Sequence, residues 1–338
     1  MLKKIVAVLL STFTAAALAV PLGSQSVLVV EDDTGKVILE KNADIQVPIA
    51  SLTKLMTAMV VLDAKQDMKE AIEIDRADVD MLKHSTSRVP VGAAITRGDV
   101  LQLALMSSDN RAAASLARTY PGGTEGFRRA VNAKIRALGL ANTVIEEPTG
   151  LSPHNRSTAT DLVKMARAAS VYPEITRITT DKKDLIKIKG RDVEYHNTNR
   201  LVGAKGWDVG LSKTGYTEEA GRCLIMRFKS GGKNNTLVLL NAKANSARIT
   251  DAVNIRRLIV GPEARSLERP RLLAASAKVK AEKPRMVKAS AKVKADKPRV
   301  VKASAKAKPV RKAKIVKTSV KAKKQAAVKA SKRTSREM

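Results

Sequence analysis

The sequence is poor in the residues that build disulfide frameworks and metal sites. Cys223 is the only cysteine among 338 residues, so no intrachain disulfide can form and stability has to come from a hydrophobic core. The three histidines, His84, His154 and His196, lie far apart and form neither an HExxH nor a CxxC pattern. We therefore expect no metal site and no cofactor.

A mostly apolar run of residues occurs near the N-terminus, and it is too short and too often interrupted by polar residues to be a typical membrane span. Lys3 and Lys4 precede IVAVLLSTFTAAALAV, which contains serine and threonine. Ala17-Leu18-Ala19 offers a small-x-small cleavage site. We interpret residues 1–19 as a signal peptide that exports the chain, with an uncleaved N-terminal anchor as the alternative.

Acidic residues are scarce at the other end of the chain. Residues 265–338 contain 26 basic and four acidic residues, a net charge of +22 out of +31 for the whole chain. The segment repeats with a period of 14, as ASAKVKAEKPRMVK (275–288) and ASAKVKADKPRVVK (289–302), and lacks aromatic residues. Because it cannot bury enough apolar surface to offset chain entropy, we predict that residues 263–338 form a disordered basic tail.

The remaining residues, 20–262, carry patterns of a folded domain with strands at both ends and helices between them. SVLVVED and KVILEK alternate as two strands, and apolar periodicity predicts helices over residues 51–63, 99–106, 111–120 and 124–138. Strands are predicted again for DLIKIKGRDVEYHN, WDVGLSKTG, GRCLIMRFK and NTLVLLNAK, before a closing helix over residues 246–260. This order predicts an α+β fold, in which an antiparallel sheet from both chain ends carries an inserted helical region.

One of the predicted helices contains a lysine that would be costly to bury. In PIASLTKLMTAMVVLDA (48–64), Lys54 follows Ser51 by three positions and so lies on the same helix face. A serine hydroxyl needs a base to become a nucleophile, and burial lowers the pKa of a lysine so that its amine can be that base. Alone, an S-x-x-K match is weak, because a surface lysine is the commoner explanation.

Two further motifs strengthen the interpretation of Ser51 as a nucleophile. Ser108-Asp109-Asn110 interrupts a strongly apolar helical stretch, and Lys213-Thr214-Gly215 ends the predicted strand VGLSKTG. The set S-x-x-K, S-D-N and K-T-G, in this order, is the signature of active-site-serine β-lactamases and penicillin-binding proteins. The joint match, with each motif in its required helix or strand context, is highly specific.

With these motifs, residues 26–261 resemble a known family. The phrases ASLTKLMTA, SSDNRAA, EPTGLS, NTNRL and KTGYTEEAGRC are similar to the low-molecular-mass penicillin-binding proteins, the serine D-alanyl-D-alanine peptidases of the periplasm, and most similar to their D-alanyl-D-alanine endopeptidase branch (penicillin-binding protein 7 type). The resemblance implies a β-lactamase/transpeptidase-like fold, a periplasmic location, peptidoglycan peptides as substrates and β-lactam antibiotics as inhibitors.

The resemblance also implies a role for each motif residue. Ser51 attacks the carbonyl of a D-alanine to form an acyl-enzyme, Lys54 is the base, and Ser108 bridges Lys54 and Lys213 to pass a proton to the leaving amine. We expect Lys54 to be buried, near Lys213 and largely neutral. Asp109, in the middle of its motif, is expected to be structural.

Substrate contacts are implied for the other motif positions. Asn110 positions the substrate, Lys213 and Thr214 bind a substrate carboxylate, and Gly215 allows close backbone approach. By analogy with the family, the backbone N–H groups of Ser51 and Tyr216 form the oxyanion hole.

Three alternatives remain open from the sequence. The motifs do not separate a D,D-endopeptidase from a D-alanyl-D-alanine carboxypeptidase. A β-lactamase is a second alternative, because Glu147 stands where class A enzymes carry their deacylating glutamate, but Leu151 replaces the asparagine found four residues later. The third is a polyanion-binding envelope protein acting through the tail. The signal peptide favours anionic envelope polymers over nucleic acid as the partner of the tail.

Overall fold

The structure, a computed structural model, describes residues 22–261. Its strands are β1 (Ser26–Glu31), β2 (Val37–Lys41), β3 (Val47–Pro48), β4 (Ala71–Glu73), β5 (Ala94–Thr96), β6 (Arg156–Ser157), β7 (Lys183–Ile188), β8 (Arg191–His196), β9 (Asp208–Thr217), β10 (Gly221–Ser230) and β11 (Lys233–Ala242). Its helices are α1 (Lys54–Asp63), α2 (Arg97–Met106), α3 (Asn110–Arg118), α4 (Gly123–Ala137), α5 (Ala159–Ala169), α6 (Pro173–Thr180) and α7 (245–261), with 3₁₀ turns at Ala50–Thr53 and Arg76–Asp78. The predicted signal peptide and basic tail lie outside the described residues.

The main sheet has five strands in the order β2-β1-β11-β10-β9. Its neighbouring strands pair antiparallel, and Ser26 at the start of β1 lies opposite Leu240 near the end of β11. The predicted α+β fold, with a sheet assembled from both ends of the chain, is thus confirmed. Strand β9, which carries Lys213-Thr214-Gly215, lies at one edge of this sheet.

Alternating side chains of the sheet supply two hydrophobic cores, one on each face. Successive residues of a strand point to opposite faces. Accordingly, Val27 and Val29 pack in the core that contains Ile255 of α7, whereas Leu28 and Val30 pack in the larger core with the inserted helices. Both faces are covered, which explains why every residue of β1 is buried.

Helix α1 is the centre of the inserted helical region. Its residues from Lys54 to Val61 are all buried, and it packs against α2, α3, α4 and α5. A helix that is apolar on all sides is typical of a position inside a core. The first turn of α1 is therefore held by neighbours on every side, which fixes the position of the motif that it begins.

Some local predictions need correction. The helix predicted to start at Ser51 begins as the 3₁₀ turn Ala50–Thr53, because Ala50 has a positive φ of 47° that a regular helix does not allow, and α1 starts only at Lys54. Helix α6 was not predicted, although Pro173 at its N-terminus is a start signal. Among residues 22–261, the structure contains no helix with the length and apolar character needed to span a membrane.

Candidate active site

Ser51 lies in the 3₁₀ turn that leads into α1. The turn keeps the predicted i,i+3 neighbourhood, and the Nζ of Lys54 donates a 2.8 Å hydrogen bond to the Oγ of Ser51. The amine is thus placed where it can receive the hydroxyl proton, which is the geometry expected of a serine and its base.

Lys54 is buried, with only 1% of its surface exposed. Besides Ser51, its Nζ donates to Asn110 Oδ1 at 2.6 Å and to the carbonyl oxygen of Thr149 at 2.7 Å, so its three protons have three acceptors. Burial lowers the pKa of Lys54 to about 8, against the opposing effect of nearby carboxylates. The predicted burial is confirmed, and the pKa of Lys54 is lowered in the direction that favours the predicted neutral amine.

The Ser108-Asp109-Asn110 motif occupies the junction between α2 and α3. Ser108 adopts a positive φ of 62°, an uncommon conformation for a residue with a side chain. Asp109 caps α3 by accepting from the N–H of Ala112 at 2.9 Å, so its predicted structural role is consistent with its contacts. Asn110 contacts Lys54, and its amide donates to Ser85 Oγ at 2.8 Å.

Lys213 of β9 contacts the junction between α2 and α3 at Ser108. It is 1% exposed, and its Nζ donates to Ser108 Oγ at 2.8 Å. Burial, together with the positive charges of Lys54 and Arg248, holds the pKa of Lys213 well below its usual value. Within the described residues, Ser108 hydrogen-bonds Lys213, whereas Lys54 is bonded to Asn110. The predicted Ser108 bridge is therefore present only on its Lys213 side.

Gly215 brings the edge strand against the turn that carries the nucleophile. A Cβ at this position would lie 3.0 Å from the carbonyl oxygen of Ile49 and 3.1 Å from the backbone nitrogen of Ser51. Such contacts are tighter than nine in ten Cβ contacts in proteins, so a side chain at this position would shift β9 and the Ser51 turn apart by a few tenths of an ångström. Close approach by Gly215 was predicted towards the substrate, and here it is made to the Ser51 turn itself.

An open cleft of about 430 Å³ lies between β9 and the two helical motifs. Six predicted residues line it, namely Ser51, Ser108, Asn110, Thr214, Gly215 and Tyr216. Lys54 and Lys213 lie beneath this surface, where both are buried. Sequence reasoning missed five further lining residues, namely Thr198, Arg200, Arg222, Asn245 and Arg248.

The three missed arginines make the cleft strongly cationic. Arg248 of α7 is 5% exposed and donates to the carbonyl oxygen of Cys223 at 3.0 Å, while its Nε has no partner in the structure. Burial and the neighbouring Arg222 lower the pKa of Arg248 to about 10. The guanidinium of Arg222 lies 3.5 Å from the ring centroid of Tyr216. No acidic residue lines this cleft among the described residues, so it suits an anionic ligand.

Comparison with known proteins agrees with this geometry. The family described as D-alanyl-D-alanine carboxypeptidase matches residues 12–244. The chain belongs to this family. It is 46% identical over 238 residues to a D-alanyl-D-alanine endopeptidase of Pseudomonas aeruginosa, and 44% identical over 240 residues to one of Escherichia coli K12, with 70% of this chain and 77% of each relative covered. The crystal structure of the Streptomyces K15 DD-transpeptidase is 27% identical, with a TM-score of 0.66 over 70% of this chain and 97% of that one.

The close approach of Gly215 leads to a first prediction. We expect Gly215→Ala to slow acylation by penicillin roughly 10- to 100-fold, because the added methyl displaces the Ser51 turn from the edge of the cleft. Gly210→Ala on the same strand is the matched control, since a Cβ there meets no atom within 4 Å. Stopped-flow acylation of both variants is the measurement. Equal rates for the two variants would contradict the prediction.

Proposed function

We propose that this chain is a serine D,D-endopeptidase, which hydrolyses D-alanyl bonds in peptidoglycan cross-links and is trapped by penicillin. The observation that carries this proposal is the 2.8 Å contact between the Lys54 amine and the Ser51 hydroxyl at the floor of a cationic cleft. The D-alanyl-D-alanine endopeptidases of P. aeruginosa and E. coli, at 46% and 44% identity, support the same substrate class.

The proposed reaction begins with the neutral form of Lys54. Its amine takes the proton from Ser51 Oγ while that oxygen attacks the carbonyl carbon of the D-alanyl residue. The backbone N–H groups of Ser51 and Tyr216 stabilise the resulting oxyanion, and one such donor typically contributes about 3–4 kcal/mol. The C–N bond then breaks, and the leaving amine takes the proton that Lys54 received from Ser51, which returns Lys54 to its neutral form. Ser108, whose hydroxyl contacts Lys213 at 2.8 Å, relays this proton. Water hydrolyses the acyl-enzyme in the second half of the reaction.

The arginines of the cleft favour an endopeptidase over a carboxypeptidase. A carboxypeptidase releases D-alanine, which carries one carboxylate and a methyl group. The cleft, with a volume of about 430 Å³, is lined by Thr214 and by three arginines, namely Arg200, Arg222 and Arg248. We assign Arg248 and Thr214 to the carboxylate beside the scissile bond, and Arg222 to an acidic group further along a larger leaving peptide.

The β-lactamase alternative receives little support from Glu147. Both oxygens of its carboxylate already accept hydrogen bonds from residues of its own loop, including the N–H groups of Thr149 at 2.7 Å and Gly150 at 2.6 Å. Leu151 also replaces the asparagine that accompanies the deacylating glutamate in class A enzymes. We therefore expect a long-lived penicilloyl-enzyme.

Labelling with penicillin tests the proposed nucleophile. We expect the wild-type chain to gain the mass of one penicillin and to keep it for minutes, and Ser51→Ala to gain none. Ser107→Ala is the control, because the hydroxyl of Ser107, the residue before Ser108, donates to the carbonyl oxygen of Leu103. Its removal should leave labelling intact. Mass spectrometry is the readout. An adduct in Ser51→Ala would exclude the site, and rapid turnover would favour a β-lactamase.

The assignment of Arg222 predicts a change in substrate preference. We expect Arg222→Gln to raise KM for cross-linked muropeptide dimers about tenfold, and to change KM for pentapeptide monomers much less, because only the dimer carries the distal acidic group. Arg191→Gln removes an exposed arginine outside the cleft and serves as the charge control. Chromatography of the muropeptide products is the measurement. An equal change for both substrates would contradict the assignment.

We also propose that residues 1–19 direct the chain to the periplasm and that the basic tail binds anionic envelope polymers. The support is the composition of the two segments and the net charge of +22 over residues 265–338. Deleting residues 265–338 should lower binding to purified sacculi at low salt, and the difference should vanish at high salt because exposed charges are screened. Binding that is unchanged by the deletion at low salt would remove the tail from the proposal.

A further inference from the structure

The loop of residues 146–155, EEPTGLSPHN, is attached to the elements that carry the nucleophile and its base. The N–H of Ile49 donates to the carbonyl oxygen of Asn155 at 3.0 Å, and Thr57 Oγ1 of α1 donates to that of Pro148 at 2.7 Å. Between these two contacts, the carbonyl oxygen of Thr149 accepts the 2.7 Å hydrogen bond from Lys54. The position of this loop therefore decides whether the Lys54 amine has its third acceptor.

Gly150 places the loop in direct contact with the backbone of the Ser51 turn. Its φ is +85°, and a Cβ here would lie 2.0 Å from the carbonyl oxygen of Ala50 and 2.8 Å from the nitrogen of Ser51. No side chain fits in this space, and the conformation itself favours glycine. A change in the conformation of residues 147–150 would therefore displace the backbone of the Ser51 turn.

The carboxylate of Glu147 sets that conformation. Its Oε2 accepts from the N–H and the hydroxyl of Thr149, at 2.7 and 2.5 Å. Its Oε1 accepts from the N–H groups of Gly150 and Ser152, at 2.6 and 3.3 Å, and from Asn155 Nδ2 at 3.0 Å. Five donors around one carboxylate close the loop into a compact turn, and they leave the Thr149 carbonyl pointing at Lys54.

Glu147 also brings negative charge to the surroundings of a buried cation. The three acceptors of Lys54 are uncharged. The carboxylates of Glu147, Asp109 and Asp80 favour the charged form of Lys54, and burial opposes them. Asp109 is engaged as the cap of α3, and Asp80 accepts N–H groups of its own loop. Glu147 is the carboxylate whose hydrogen-bonded loop contacts Lys54 directly.

We propose that Glu147 is a positioning residue for acylation, which holds the Thr149 carbonyl against Lys54 and offsets the burial of the Lys54 ammonium with its negative charge. A base works best when its pKa lies near the working pH. Without Glu147, burial would depress the proton affinity of Lys54 further, and the amine would become a weaker base. The proposal rests on the proposed acylation of Ser51 assisted by Lys54.

The pH dependence of acylation separates the two roles of Glu147. Acylation needs neutral Lys54, so its rate rises as the pH passes through the pKa of that amine. In Glu147→Gln we expect the midpoint of this rise to move about one pH unit lower, because a nearby negative charge is lost. We also expect the plateau to fall about tenfold, because the new NH₂ group opposes the N–H donors of the loop. Glu147→Asp should keep the midpoint and lower only the plateau.

The measurement is the second-order rate constant for a fluorescent penicillin from pH 5 to 10, on the full chain, with melting temperatures recorded in parallel. Glu146→Gln is the matched control, because this adjacent carboxylate accepts only from Ser152 Oγ and should leave both parameters unchanged. A folded Glu147→Gln with the wild-type midpoint overturns the charge role, and a wild-type plateau in Glu147→Asp overturns the positioning role.

The Glu147→Asp result decides the positioning role even if Glu147→Gln does not fold, because the aspartate keeps the charge at a shorter reach. The outcome is also distinct from a failure of the proposed function. Loss of that function appears as an adduct that persists in Ser51→Ala. A Ser51 adduct that forms with an unaltered pH profile in folded Glu147→Gln overturns the Glu147 proposal alone.

Discussion

The burial of the Lys54 ammonium beside Ser51 is the constraint on which the active site depends. Removing an ammonium from water costs several kcal/mol unless hydrogen bonds replace its hydration. The three replacements come from three separate segments, which are the Ser51 turn, the start of α3 at Asn110 and the Thr149 carbonyl of the 146–155 loop. These segments must converge within hydrogen-bonding distance of one atom, so the packing of the inserted helical region around α1 is tied to the position of a single amine.

Close backbone contact is the second requirement of the site. Gly150 on one side and Gly215 on the other lie so near the Ser51 turn that neither leaves room for a Cβ without displacing backbone atoms. The turn is thus held between the 146–155 loop and the edge strand β9. Because Gly215 belongs to the K-T-G motif, one part of that motif serves the placement of the nucleophile. Thr214 lines the cleft, and the buried Lys213 donates to Ser108 from beneath it.

Local sequence patterns predicted the secondary structure of the main elements and the contact between Ser51 and Lys54. Alternation identified the first two strands of the main sheet, a continuous apolar run after Pro48 identified α1, and the spacing of Ser51 and Lys54 predicted their contact. It could not predict Arg248, because α7 reaches the cleft only when the last strand of the sheet has paired with the first, and no local pattern reports that contact. Likewise, motif order does not tell whether Ser108 or Asn110 contacts Lys54, since that depends on how α1 and β9 pack against the junction of α2 and α3.

The two buried lysines of the site have lowered pKa values for different reasons. Lys54 has three acceptors and nearby carboxylates, which favour its charged form and keep its pKa near 8. Lys213 faces Lys54 and Arg248, two cations, and its pKa falls well below the usual value. Both amines therefore lose a proton more easily than an exposed lysine, Lys54 because it is buried and Lys213 because it is buried beside two cations. Activation of Ser51 requires the neutral Lys54 amine, and the carboxylates around Lys54 raise the pH at which that neutral amine forms.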